Sequence, residues 1–278
     1  MQKKIVYGVI IGIIIIAVIF IILLAPILKV LGFFDSNVTE GYVENNSEYA
    51  DDYRNVVSDY IKSKKGYVSL ERILYFYNAD NSLSFEEIYK DNLDNDSKQM
   101  LPISDVCDLG KYSPLDVCDV DRIEESNQIN VTQAKPFAPP IDFSKIKRVS
   151  SFFMEERVVF GKSDQHNGWD LSAEALTPVY ATCNGVAEKV SFPYQVNAQD
   201  IGSNGNEIRI RCDGNNYLVT YAHLFPNSNK ITEGQVVNKG QEIAGVGTTG
   251  TSTNNHLHYQ VSLDGKLVDG MSLVDFNS

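Results

Sequence analysis

The sequence predicts an all-β domain at the C-terminal end of the chain, preceded by one transmembrane helix and a small α-helical region. Three patterns support this order. A long charge-free run stands near the N-terminus, apolar residues then recur at helical spacing, and beyond Phe152 short β-rich runs alternate with glycine and asparagine. The predicted boundaries are residues 1–34 for a cytoplasmic tip and anchor, 35–125 for the helical region, 126–148 for a linker and 149–278 for the β domain.

The charge-free run extends from Ile5 to Leu28 and contains 24 residues. A helix of that length measures about 36 Å, which is enough to cross a bilayer core and longer than the apolar part of a secretory signal. Lys3 and Lys4 precede the run, whereas Asp35 and further acidic residues follow it. The length therefore predicts an uncleaved, single-pass anchor in the cell membrane. The positive-inside bias predicts that the C-terminal domain is extracytoplasmic.

The composition indicates which class of partner is disfavoured and whether the cysteines form disulfides. The formal net charge of -12 argues against nucleic acid as a partner, because the sequence offers no basic phosphate-binding surface. Four cysteines lie beyond the predicted anchor, and an even number in an extracytoplasmic region predicts two disulfides. The sequence contains no CxxC pair, which disfavours a cysteine-based zinc site.

Helical spacing of apolar residues begins at Tyr49 and stops at Gly66. Ser69 is a candidate start for a second helix, and Ser84 followed three residues later by Glu87 fits a capping box for a third. The region carries no catalytic pattern. We expect it to act as a membrane-proximal spacer or as a docking unit for protein partners.

The segment between the helical region and the β domain contains three prolines and little periodicity, which predicts a linker. In the β domain, the runs "CNGVAEKVSF" and "NEIRIRC" are predicted to form an antiparallel hairpin. If paired residue numbers sum to about 397, Cys183 faces residue 214, or Cys212 after a shift of two. The two cysteines would then lie near one another at the far end of this hairpin, at a separation suited to a disulfide. Cys107 and Cys118 would then pair inside the helical region.

All four histidines of the chain lie in the predicted β domain. His256 and His258 are one residue apart in a predicted strand, so both imidazoles leave the same face while Leu257 leaves the other. His166 and Asp170 are separated by three residues, with a glycine between them that permits a sharp bend. Such a pair can converge on one metal ion.

His223 is the penultimate residue of the run "YLVTYAHL", whose alternation predicts a strand that includes the histidine. Three nitrogen or oxygen ligands with an open fourth position are typical of catalytic zinc, and His166, Asp170 and one of the paired histidines would supply them. The remaining histidines would move protons beside the site. Singly, each residue also fits an ordinary loop, turn or core position; their combination favours the metal.

The C-terminal part resembles the lysostaphin/LytM-type zinc endopeptidases, which cut peptide bridges of bacterial peptidoglycan. The resemblance runs from about Ser150 to Asp269. It rests on three motifs and their order, "HNGWDLSAEALTPVYATCNGVAEKV", "YAHL" and "EGQVVNKGQEIAGVGTTGTSTNNHLHYQV". Gln260 departs from the family pattern, which often has an acidic residue there, and Asn254-Asn255 stand where Gly-Pro is frequent.

This resemblance implies a LytM-like antiparallel fold and one Zn²⁺ per chain. It assigns the metal ligands to His166, Asp170 and His258, and thereby decides which histidine of the HxH pair binds zinc. It assigns catalysis to His223 and His256. It covers none of residues 30–135.

The sequence thus predicts a membrane-anchored zinc metalloendopeptidase that hydrolyses peptide bonds in peptidoglycan cross-links or stem peptides. The alternative is a non-enzymatic scaffold that binds the wall or activates a partner, because some relatives with this domain have lost ligands. All five family positions are present, which favours the enzyme. In a third interpretation, the helical region is the functional head and the β domain binds the wall.

Overall fold

The structure is a computed structural model of the chain. It describes residues 49–78, 80–112, 118, 135–159, 162–195 and 203–278. The predicted membrane span from Ile5 to Leu28 lies outside these residues. Within them, no helix has the length and apolar character needed to cross a bilayer. The described residues belong to one structural unit.

Helices occupy the first part of this unit. They are α1 (Ala50–Lys62), α2 (Leu70–Tyr77), α3 (Phe85–Asp91) and α4 (Ile103–Cys107). The predicted caps are present: Ser69 Oγ accepts a hydrogen bond from the backbone N–H of Arg72 at 3.3 Å, and Ser84 and Glu87 make both bonds of a capping box. Gly66, with φ of +121°, lies in a region that other residues rarely adopt and ends the turn after α1.

The C-terminal part is built from short strands. They are β1 (Arg148–Ser151), β2 (Glu156–Val159), β3 (Lys162–Gln165), β4 (Trp169–Ser172), β5 (Pro178–Tyr180), β6 (Gly185–Ser191), β7 (Glu207–Cys212), β8 (Tyr217–Ala222), β9 (Val236–Val237), β10 (Glu242–Gly245), β11 (His256–Leu263) and β12 (Lys266–Val268). The main sheet has the order β1-β4-β11-β8-β7-β6-β9, with β12 paired to β11. The strands β5 and β10 form one small sheet, and β2 and β3 form another. Every strand pair is antiparallel, which confirms the predicted antiparallel β architecture.

The β6–β7 hairpin has the predicted register up to a bulge. Gly185 pairs with Cys212 and Ala187 with Ile210, while a bulge before Lys189 shifts the later pairs by one residue. Gly185 is required here, because a Cβ atom would lie 2.1 Å from the carbonyl oxygen of Arg211. The disulfide partners are those predicted: Cys183–Cys212 and Cys107–Cys118, each with a Cα–Cα distance of 5.7 Å.

The helical region packs directly on the β domain. In α1, Ser58 Oγ accepts a hydrogen bond from the backbone N–H of Val149 in β1 at 2.9 Å. Tyr67 packs edge-on against Trp169 of β4, with ring centroids 5.4 Å apart, and donates to Asp269 at 2.5 Å. The predicted spacer or docking region therefore shares buried surface with the strands that carry the candidate site.

The described part of the predicted linker is also packed on the β domain. Phe137, Ile141 and Phe143 are buried. The backbone N–H of Tyr180 donates to Pro140 at 2.8 Å, so strand β5 is held by this segment. From residue 135 onward the chain is part of the core instead of a free linker, because its prolines are interspersed with large apolar residues that the low periodicity concealed. Residues 126–134 lie outside the description.

Candidate metal centre

The three central strands β4, β11 and β8 bring the predicted site residues together. His258 of β11 pairs with Asp170 of β4 on one side and with Ala222 of β8 on the other. His166 stands a few residues before β4, and His223 directly follows β8. All five residues that the sequence singles out are therefore brought to one region, and each of them is buried.

Gly168 lets the segment from His166 to Asp170 lie against β11. A Cβ atom at this position would come within 2.5 Å of the carbonyl oxygen of Tyr259. The sequence suggests that this glycine permits a sharp bend. The structure gives a different reason, namely the close approach of two backbones.

Three side-chain atoms form a tight triangle. His166 Nε2 lies 3.1 Å from Asp170 Oδ1 and 3.1 Å from His258 Nδ1. Asp170 Oδ1 lies 2.9 Å from His258 Nδ1. A tetrahedral zinc ion with bonds of about 2.0–2.2 Å holds its ligand atoms about 3.3–3.6 Å apart, so this triangle has close to the size of one face of such a site.

The outer hydrogen bonds of the two imidazoles allow each ring to present a lone pair inside the triangle. His166 Nδ1 donates to the carbonyl oxygen of Phe152 at 3.0 Å, and His258 Nε2 faces Gln260 Oε1 at 3.4 Å. An amide or carbonyl oxygen accepts only, so the neutral form of each ring has its lone pair on the inner nitrogen. Two such lone pairs and a carboxylate oxygen at these distances repel one another unless a proton or a metal cation lies among them. The residues therefore fit a divalent metal, and their N/O donor set suits zinc.

Asp170 is held as a carboxylate. Burial raises its pKa. His166, His256 and the hydrogen bonds from the surrounding imidazoles lower the pKa by more than burial raises it, so the pKa lies well below its ordinary value. Arg157 Nη1 in β2 donates to Asp170 Oδ2 at 2.8 Å. This contact occupies the outer oxygen and leaves Oδ1 for the triangle, which is the role of an outer partner in metal sites.

His223 does not continue strand β8 as the alternation predicts. The strand ends at Ala222, and His223 has φ of +60°, a left-handed conformation uncommon for residues other than glycine. This turn directs the ring to the site: its centroid lies 4.7 Å from that of His256 and 5.8 Å from that of His258. The strand prediction was wrong at this residue because side-chain alternation cannot foresee a left-handed backbone at a functional site.

His223 and His256 share a hydrogen-bonding pattern. His223 Nδ1 donates to the carbonyl oxygen of Thr249 at 2.8 Å, and His256 Nδ1 donates to that of Asn254 at 2.8 Å. The other nitrogen of each ring is Nε2, and that of His256 lies 3.5 Å from Asp170 Oδ1. Burial lowers the pKa of His223 to about 3, with the neighbouring His256 and His258 adding to the effect, so its imidazole is neutral at neutral pH.

The sequence did not identify the groups that hold these side chains. Arg157, the carbonyl of Phe152 and the carbonyl of Thr249 have no motif of their own. Their partners stand 13, 14 and 26 positions away along the chain. Only the sheet register and the turns around it bring them together.

Comparison with known proteins places the five residues inside a recognised domain. Residues 164–270 match the family model Peptidase family M23. An uncharacterized metalloprotease of Haemophilus influenzae is 35% identical over 149 residues, covering 53% of this chain and 29% of that protein. Peptidoglycan DD-endopeptidase ShyC of Vibrio cholerae is 37% identical over 128 residues, covering 45% of this chain and 26% of that protein.

A crystal structure of a zinc-containing peptidase from Vibrio cholerae is 31% identical, with a TM-score of 0.41 over 49% of this chain and 39% of that one. The chain spans less than a third of the length of the two curated relatives, at 29% and 26%. The similarity therefore concerns the β domain. Over residues 164–270, this chain is similar to peptidase family M23.

Proposed function

We propose that this chain is a zinc-dependent metalloendopeptidase that hydrolyses peptide bonds in the cross-links or stem peptides of bacterial peptidoglycan. The observation that carries the proposal is the triangle of His166 Nε2, Asp170 Oδ1 and His258 Nδ1, with edges of 2.9–3.1 Å and two more imidazoles beside it. The names of the relatives, a metalloprotease and a peptidoglycan DD-endopeptidase, support the reaction and the substrate class.

In this proposal, His166, Asp170 and His258 hold one zinc ion per chain. When bound, zinc polarises a carbonyl oxygen and lowers the pKa of a water molecule. Arg157 keeps the Asp170 carboxylate turned so that Oδ1 faces the ion, and Phe152 keeps the ring of His166 in the required tautomer.

His223 and His256 carry out the proton transfers. Each ring is fixed through Nδ1–H, so Nε2 of one of the two rings accepts the proton of the water molecule attacking the substrate carbonyl. The protonated ring then donates to the developing oxyanion. As the carbon–nitrogen bond of the peptide breaks, that proton passes to the leaving amine.

The proposed location is the outer side of the cell membrane, where the wall lies. The predicted span from Ile5 to Leu28 would hold the domain there, and the two disulfides are consistent with an oxidising compartment.

The test is incubation of the full-length chain in detergent with purified peptidoglycans, followed by mass spectrometry of the released fragments. We expect each cut to create one new amine and one new carboxylate, to stop with a chelator and to resume when zinc is restored. Wall binding without any released fragment, with zinc present, would contradict the enzyme and favour the scaffold alternative.

A further inference from the structure

We propose that helix α1 positions the metal-binding His166, acting through Arg54 and the turn at residues 151–155. The helical region would then be a part of the catalytic unit instead of a spacer. This inference rests on the proposed zinc site, and it concerns an interaction that lies outside the domain matched by the family model, residues 164–270.

The turn at residues 151–155 fixes both the ring and the backbone of His166. His166 Nδ1 donates to the carbonyl oxygen of Phe152 at 3.0 Å. The backbone N–H of His166 donates to the carbonyl of Glu155 at 2.9 Å, and its carbonyl accepts from Met154 at 2.8 Å. The direction of the ring therefore depends on the conformation of this turn.

The carboxylate of Glu155 organises the turn. Its Oε2 atom accepts from Ser151 Oγ at 2.6 Å and from the backbone N–H of Phe152 at 3.0 Å. The second bond fixes the same residue whose carbonyl holds His166. Glu155 is only 2% exposed, and a carboxylate at that depth is strongly unfavourable unless it is paired.

The charge that pairs with Glu155 comes from the helical region. Arg54 in α1 donates to Glu155 Oε1 and, with its other terminal nitrogen, to Asp51. The neighbouring Tyr53 packs edge-on against Phe152, with ring centroids 5.0 Å apart. Helix α1 thus contacts both the charged and the apolar part of the turn that holds His166.

Removal of the arginine would leave a buried carboxylate without its cation. The turn would then open to hydrate Glu155, and the Phe152 carbonyl would withdraw from His166 Nδ1. Loss of an outer partner of a metal ligand lowers metal affinity by about 10–100-fold. Arg54 is on this basis a positioning residue, which acts on the metal through His166.

The experiment uses the full-length chain in detergent, stripped of metal, and measures the zinc Kd by competition with a chromophoric chelator. We expect Arg54→Met to raise the Kd by about 10–100-fold. Arg54→Lys, which keeps the charge, should recover most of the affinity. The double variant Arg54→Met/Glu155→Gln should also recover the affinity, because it removes both charges and leaves no buried carboxylate without a cation. If Arg54→Met does not fold, the zinc Kd values of Arg54→Lys and of the double variant provide the test.

Arg72→Met is the matched control. Arg72 is buried at 4% exposure and donates to Asn92 Oδ1 at 3.3 Å and to the carbonyl of Leu101 at 2.9 Å, both within the helical region. We expect this variant to unfold at a lower temperature and, while folded, to bind zinc like the wild type. If Arg54 had a merely structural role, Arg54→Met would behave like Arg72→Met and would bind zinc like the wild type while folded.

A second readout does not depend on zinc. The ¹⁵N shifts of the His166 ring in the metal-free protein should report a proton on Nδ1 in the wild type and a mixture of tautomers in Arg54→Met. A folded Arg54→Met variant with unchanged zinc Kd and unchanged tautomer would overturn the inference. A wild type that binds no zinc would overturn the proposed function, while the tautomer would still decide whether Arg54 positions His166.

Discussion

Asp170 is bound on both of its oxygens, and each bond has a separate purpose. Oδ1 belongs to the triangle with His166 and His258, while Oδ2 accepts from Arg157. Arg157 also contacts Asp164, so its guanidinium is held from two sides within the β2–β3 hairpin. The carboxylate is therefore oriented before any metal arrives.

We predict that Arg157→Gln lowers zinc affinity by about 10–100-fold without loss of the fold, because the Asp170 carboxylate becomes free to rotate. The matched control is Arg211→Gln, which removes an exposed ion pair with Glu188 far from the triangle along β7. Calorimetric titration of zinc into the metal-free proteins measures the effect. Equal affinities for wild type, Arg157→Gln and Arg211→Gln would refute this role.

The sequence allowed us to predict which residues come together, but it did not allow us to predict the groups that hold them in place. His166 and Asp170, or His256 and His258, are close along the chain and form recognisable local motifs. Arg54 and Glu155 are 101 positions apart, and no local pattern links them. The left-handed backbone of His223 also has no signature in the alternating run that precedes it.

The same distinction applies to whole helices and strands. The caps of α2 and α3 and the register of the β6–β7 hairpin follow from local chemistry, and the structure contains them. The packing of α1 on β1 does not follow from the helical spacing, which marks an apolar face without naming its partner.

For the β6–β7 hairpin, we predict that replacing Cys183 and Cys212 together by serine lowers the free energy of unfolding by about 3 kcal/mol, since the bond restricts the unfolded chain. The disulfide lies at the far end of the hairpin from Glu207, so zinc binding should be retained. Denaturant titration measures the change, and non-reducing peptide mapping establishes the pairing. A linked peptide containing Cys107 and Cys183 would disprove the connectivity.

Asp269 joins the helical region to the β domain, and its burial predicts that the free energy of unfolding depends on pH. Burial raises its pKa, and hydrogen bonds from Tyr67 and Trp169 offset this only in part. The folded state thus takes up a proton at higher pH than the unfolded state. Between the two pKa values the folded state binds more protons, so the contribution of this group to stability grows as the pH falls and is lost as the pH rises.

We therefore expect the free energy of unfolding of the wild type, minus that of Asp269→Asn, to increase as the pH is lowered from about 7 to about 4. The asparagine keeps an acceptor for Trp169 and removes the titration. Denaturant unfolding of both proteins across this range gives the difference directly. A difference that stays constant with pH would show that Asp269 does not titrate differently on folding.

Taken as a whole, the described molecule is one unit from the first helix to the last strand. The helices, residues 135–147 and the strands share one set of buried residues. Deletion of the helical region would uncover β1 and leave Glu155 without Arg54. Such a truncation would therefore not isolate an independent β domain, and point variants are the better test of the helical region.

The predicted anchor gives an expectation for the whole chain in the cell. Protease added to intact cells stripped of their wall should remove the β domain, because the lysines before Ile5 and the acidic residues after Leu28 favour an external C-terminus. A cytoplasmic marker protein is the control for lysis. A C-terminus that stays protected would contradict the topology and the direct access to peptidoglycan.

In the proposed mechanism, His166, Asp170 and His258 bind zinc, and His223 and His256 move protons. This division of roles is tested by comparing zinc content and peptidoglycan hydrolysis in His258→Ala and His223→Ala, prepared side by side with the wild type. We predict that His258→Ala loses both, and that His223→Ala keeps one zinc per chain while turnover falls by about 10²–10⁴-fold. Equal zinc retention in both variants, or full hydrolysis by His223→Ala, would contradict these roles.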